Sequence, residues 1–143
     1  MIERGKTMKI LIIDGQGGGI GSGLVEQLRG LQEKDLEIWA VGANVMATTA
    51  MLRAGADAGA TGENAVLYNS SRADVILGPI GIVMANAMMG EISPAMAAAV
   101  SGSEARKILI PISKCVQVVG VEQKPMQAYL AEAAAEVKRL LDC

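Results

Sequence analysis

From residue 14 to residue 22 the chain reads Asp-Gly-Gln-Gly-Gly-Gly-Ile-Gly-Ser, directly after the apolar run KILII at residues 9–13. A strand that turns through this many glycines into a helix-patterned segment has the form of a nucleotide-phosphate cradle. Glycine lacks a Cβ, so its backbone reaches positive φ and lets a phosphate approach the amides closely. The unpaired N–H groups and positive dipole end of the following helix then face that phosphate. The predicted ligand contacts are Asp14, Gly15, Gln16, Gly17, Gly18, Gly19, Ile20 and Gly21. Asn44, Gly78, Pro79, Ile80 and Gly81 join them, because they end the strands expected on either side.

The spacing narrows the loop type. A strict G-x-G-x-x-G fails, since Gly15 and Gly17 lead to Ile20 in the third place, and Gly17 and Gly19 lead to Ser22. A P-loop is excluded because no Gly-Lys-Ser/Thr closes the run. Gly15-x-x-x-Gly19-Ile20-Gly21 resembles the T-G-x-x-x-G-I-G loop of short-chain dehydrogenases, with Asp14 in the threonine position. That resemblance implies NAD(P) or another nucleotide as cofactor. Residues 17–23, GGGIGSG, also resemble the GGGTGSG signature of tubulin-type GTPases, although this chain is too short for their whole nucleotide domain. The competing reading is that the glycines only allow the helix to pack on the strand.

The dehydrogenase chemistry itself is missing. Short-chain dehydrogenases use Tyr-x-x-x-Lys, the lysine lowering the tyrosine pKa so that it exchanges a proton with substrate. Here Tyr68 is followed four places later by Arg72, and Tyr129 by Ala133. No acid ends the second strand to hold the ribose hydroxyls of NAD, and Asn44 is the nearest polar group. A ligand smaller than a dinucleotide, carrying a phosphate or carboxylate, fits these deficits.

Other constellations are eliminated in turn. The chain has no histidine, so Ser-His-Asp and Cys-His sites and histidine metal sites are absent, and no metal is predicted. Asp14 ends its strand as a phosphotransferase nucleophile would, but the second acid of an Asp-x-Asp pair is replaced by Gln16. It is expected to accept loop amide hydrogens. Lys114 would neutralise an anion with Cys115 beside it, against the plainer reading of a solvated lysine and an inert thiol. Glu63, Asn64 and Asn86 are stronger polar candidates; Asn86, if buried in an apolar helix, must bond neighbouring backbone or reach the pocket. Glu91 reads as a solvated acid at a helix end.

The elements that would place these residues alternate along the chain. Ile20, Leu24, Val25, Leu28 and Leu31 give a first helix an apolar face. Strands are predicted at 36–41, 74–78, 107–112 and 116–121, and helices at 45–54, from Ser93-Pro94, and at 125–141. The segment 59–71 is ambiguous between helix and strand, and 82–89 is predicted to be a helix apolar on all sides. The result is one α/β domain over 8–143, Rossmann-like and three-layered, with a mainly parallel sheet and helices on both faces. Residues 1–7 are expected to be a short tail.

Composition sets the remaining bounds. The 143 residues carry a net charge of −2, with no Phe, two Tyr and one Trp. This gives neither an electrostatic footprint nor a stacking platform for nucleic acid. No membrane helix and no targeting segment is expected, and two widely spaced cysteines suit a reducing cytoplasm. Hydrophobic content is 51% and concentrated at 75–100. A second subunit is therefore expected to cover the helix there, giving a homo-oligomer with Met84, Met88 and Met89 in the contact.

The blocks KILIIDGQGGGIG, MLRAGADAGATGENA, DVILGPIGI, MGEISP and KILIPISKC, spread over residues 8–137, resemble a bacterial family of unknown function. That resemblance implies a Rossmann-like fold and supplies no catalytic residue. The function expected is nucleotide or dinucleotide binding, or binding of a similar phosphate-bearing metabolite, at the glycine loop. Two alternatives stand beside it: an oligomeric interaction module that binds no nucleotide, and an enzyme whose site is completed at the subunit interface.

Overall fold

The computed structural model describes residues 6–143; the expected tail at 1–7 lies, for its first five residues, outside them. The first strand, β1 (Met8–Asp14), is apolar without a break from Ile10 to Ile13 because both its faces are covered there. Ile10 and Ile12 point to one side of the sheet, Leu11 and Ile13 to the other, and all four are fully buried. Helix α1 (Gly19–Gly30) follows, burying Gly21, Leu24, Val25 and Leu28. Then come β2 (Leu36–Gly42), α2 (Val45–Ala54), β3 (Ala58–Thr61), α3 (Glu63–Ser70) and β4 (Val75–Pro79). A 3-10 turn, Ile80–Val83, leads into an irregular segment, followed by α4 (Pro94–Ser101), β5 (Arg106–Ile110) and α5 (Met126–Asp142).

Among the described residues all five strands are parallel, in the order β3-β2-β1-β4-β5. Met8 to Asp14 run in register with Leu36 to Gly42, so β1 and β2 end together at the carboxyl edge. The chain moves outward from β1 through β2 to β3, then returns to the other side of β1 for β4. This reversal between β1 and β4 is the switch point at which open α/β sheets bind ligands. Helices α1, α2 and α5 cover one face, and α3 and α4 the other. The three-layer Rossmann-like architecture is therefore as expected.

Three local expectations change. The ambiguous stretch at 59–71 is both strand and helix, β3 ending at Thr61 and α3 beginning at Glu63. The predicted strand at 116–121 does not form: Val116, Val118, Val119 and Val121 are exposed, and no strand edge pairs with them. β-branched residues favour extended backbone, but a strand needs a partner and a buried face.

The helix predicted at 82–89 is likewise absent. Asn86, Met88, Met89 and Gly90 all have positive φ, of 65°, 59°, 56° and 90°, which stops an α-helix. Only Ile82 of that stretch is fully buried, while Met89 is 99% exposed. The other large apolar side chains of 75–100 are absorbed at home, with Val75, Ile76, Leu77, Ile92, Met96 and Val100 in the chain's own two cores. An all-round apolar helix thus supplies no demand for a second subunit.

Candidate functional site

Asp14 stands at the end of β1, 5% exposed. Its Oδ1 accepts from the Gly15 amide at 2.8 Å and its Oδ2 from the Gly21 amide at 2.7 Å. The carboxylate thus staples the loop between strand and helix, the role expected of it. Burial pushes its pKa above 3.8; the Gly21, Gly15 and Ile20 amides pull it down, and the nearby charge of Glu91 adds to the rise.

The loop glycines divide into two kinds. Gly18 caps α1 in the left-handed region at φ 73°, and a Cβ there would lie 2.8 Å from Ala47 Cα. A Cβ on Gly15 would meet Met88 Sδ at 2.7 Å and Glu91 Oε1 at 2.8 Å, and one on Gly21 would meet Met51 Sδ at 2.6 Å. Backbone packing and φ demand glycine at 18, while 15 and 21 are crowded by the side chains of Met88, Glu91 and Met51. Gly17 and Gly19 differ: a Cβ on either would meet nothing within 4 Å, and neither has positive φ. Among the described residues, no hydrogen bond engages their amides.

These amides border a cleft of about 470 Å³. Asp14 to Ile20 form one wall, Pro79, Gly81, Met84, Ala87, Met88 and Met89 another, and Ile112, Ser113, Lys114 and Cys115 the third. The site has apolar walls, free N–H groups at a helix start, and one cation, Lys114. A larger hollow of about 820 Å³ shares the 112–115 wall and another of about 910 Å³ lies elsewhere, and neither touches the glycine loop.

Several predicted residues fall outside this cleft. Gly78 is buried in β4, where a Cβ would sit 2.4 Å from Ile13 O, so its role is close strand packing. Ile80 opens the 3-10 turn and does not line the cleft. Asn44 caps α2, its Oδ1 accepting from the Ala47 amide, while its Nδ2 donates to Gln16 O and to Glu91 Oε2. Glu63 accepts from Ser93 Oγ at 2.6 Å and Asn64 is exposed on α3; neither lines the cleft. Asn86 is exposed, so neither outcome expected for a buried amide applies; its short polar side chain tolerates the left-handed backbone found there.

Glu91 is the residue whose role sequence reasoning missed. Read as a solvated acid, it is half-buried instead, its Oε1 accepting from the Gln16 amide at 2.6 Å and its Oε2 from Asn44 Nδ2 at 2.7 Å. The acid that the end of β2 lacks is brought there from beyond β4. The one signal available was its isolation as the sole charge within 75–100.

Residues 9–142 match the family described as a domain of unknown function, DUF3842. The chain belongs to that family. No curated protein matches it. Among solved structures it is similar to a dodecameric FMN-dependent Ubix-like decarboxylase from Escherichia coli O157:H7. The two share 17% identity at a TM-score of 0.46, over 90% of this chain and 76% of the other. Nothing in these similarities extends the loop's resemblance to short-chain dehydrogenases. Among the described residues no helix is long and apolar enough to cross a membrane, and no group of acids and cysteines is placed to hold a metal ion.

Proposed function

We propose that the protein binds a small phosphate-bearing metabolite, of mononucleotide size, in the cleft between the glycine loop, the 84–89 segment and residues 112–115. The observation that carries this reading is the pair Gly17 and Gly19. Backbone packing and φ require glycine at 18, and side chains crowd 15 and 21, but nothing crowds these two, whose unpartnered amides border the cleft. A ligand anion approaching the backbone at close range gives them a reason to lack a Cβ. Lys114 adds the neutralising charge, and Ile20, Met84, Met88 and Ile112 offer apolar walls to a flat ring.

NAD(P) suits the site less well than a mononucleotide. A dinucleotide laid across a sheet of this order must pass from the β1 loop toward the end of β2, and the Glu91–Asn44–Gln16 junction stands there. Self-association is part of the same proposal, its contact being the exposed Val45, Met46 and Met89 beside that junction.

Thermal melts with ADP, GTP, FMN, NAD, NADP and inorganic phosphate test the reading. A ligand at 100 times its Kd adds about 2.7 kcal/mol, several degrees of Tm at this size. At least one mononucleotide is expected to shift Tm more than NAD or NADP. Gly19→Val should fold, since its side chain enters open space, and should lose the shift. No response to any ligand, or an undiminished response in Gly19→Val, would return the loop to a packing role.

A further inference from the structure

The segment from Met84 to Ile92 is bonded mainly to itself. Met84 O accepts from the Ala87 amide, Asn86 O from Gly90, Met88 O from Glu91, and Ala87 O from Ile92, while the Asn86 amide donates to Ile92 O. Fully buried Ile82 and Ile92 anchor its two ends in the core beneath α3 and α4. Between those anchors it meets the glycine loop at two places: Met88, whose Sδ lies 2.7 Å from where a Cβ on Gly15 would stand, and Glu91, bonded to the Gln16 amide and Asn44. Met88 and Met89 are held in left-handed backbone, uncommon for long side chains.

We propose that residues 84–91 form a flap latched shut by Glu91, and that a phosphate-bearing ligand opens it by displacing the Glu91 carboxylate from the glycine loop. This rests on the ligand reading above and adds how the site is gated. The loop already holds an anion, and that anion belongs to the chain: Glu91 Oε1 takes the Gln16 amide, next along the chain to the free Gly17 amide that an incoming phosphate would use. Two negative groups on adjacent amides repel strongly, because neighbouring like charges in a partly dry site disfavour each other. Asp14, with both oxygens committed to Gly15 and Gly21, faces the same ligand and does not move aside. Glu91 is the acid that can leave, since its segment has its own hydrogen bonds to travel with.

Glu91→Gln tests the latch with little change of shape. One amide oxygen still accepts from Gln16, but the new NH₂ then faces Asn44 Nδ2, which donates already, so the bridge to α2 is lost. Hydrogen exchange of the amides of 86–92 should speed up in Glu91→Gln and in Glu91→Ala, and in the wild type on adding inorganic phosphate. Calorimetric titration should show phosphate binding about tenfold tighter to both variants than to wild type, the worth of one charge-assisted hydrogen bond no longer in competition. Unchanged exchange in the variants overturns the latch. Faster exchange with phosphate binding equal to or weaker than wild type overturns displacement and makes Glu91 an organiser of the loop. Binding that survives in Gly19→Val removes the ligand reading instead, while the exchange rates still report on the latch by themselves.

Discussion

Two acids, the buried Asp14 and the exposed Asp57, tie this protein together with opposite pH dependence. Asp14 is raised, by burial first, above the 3.8 of a free aspartate, the amides of Gly21, Gly15 and Ile20 being insufficient to compensate and Glu91 adding repulsion. The folded chain then holds a proton that the unfolded chain releases. The stability linked to Asp14 is therefore fully present below 3.8 and declines as pH rises through its folded value. For Asp57, burial also pushes upward, but the Ile38 amide and Arg29 outweigh it and the pKa is lowered. Its stabilising share is present above 3.8 and disappears as pH falls through the folded value. A carboxyl-carbon NMR titration should place Asp14 above and Asp57 below 3.8, and Glu91→Gln should bring Asp14 down while leaving Asp57 in place. An Asp14 that does not respond would mean that Glu91 lies farther from it than the shared loop implies. Asp14→Asn places an NH₂ against either the Gly15 or the Gly21 amide; urea melts should show a loss of about 1–3 kcal/mol.

At the level of the elements, the β1–loop–α1 unit separates glycines that build from glycines that admit. Gly18→Ala puts a Cβ 2.8 Å from the α2 backbone at a φ of 73°, two faults that side-chain repacking cannot relieve. It is expected to cost about 2 kcal/mol or more, through strain and overpacking. Gly19→Ala, at the first position of α1 with nothing within 4 Å, should be close to neutral in the same melts. Equal losses in the two variants would mean that the loop is uniformly packed, and the argument for an admitted ligand would fall with the distinction. The α2 start shows the same economy, since Asn44 caps the helix with one atom and bridges Gln16 to Glu91 with another.

For the molecule as a whole, the two cores account for most of the 51% hydrophobic content. The exposed apolar side chains fall largely into two stretches: Val45 at 69%, Met46 at 73% and Met89 at 99% exposure, close in sequence to the Asn44–Glu91 bridge, and the segment 112–121, where Val119 is 96% exposed. Exposed apolar side chains flanking a hydrogen-bonded junction are candidates for a contact surface. Sedimentation at micromolar concentration should show more than a monomer, and Met89→Glu should shift it toward the monomer by placing a charge in the contact. A wild-type monomer at every concentration would show that this edge stays in water.

The strand–loop–helix at 8–30, the helix at 45–54, which ends at Gly55, and the parallel character of the sheet were all legible from the chain alone. Each rests on signals within a few residues: an unbroken apolar run, a 3.6-residue period, a glycine just past a helix end. Even the staple role of Asp14 follows from local chemistry, because its amide partners lie one and seven residues away. The failures share the opposite property. Glu91 meets Gln16 across 75 residues and Asn44 across 47, distances at which no periodicity links one residue to another. Apolar content at 82–89 has the composition of a buried helix, yet three residues with positive φ, followed by Gly90, and the pull of the two anchors, Ile82 and Ile92, turn it into an irregular segment. Which glycines pack and which face an open cleft was equally a matter of what folding brings beside them, since a missing Cβ has meaning only against the neighbour it would have struck.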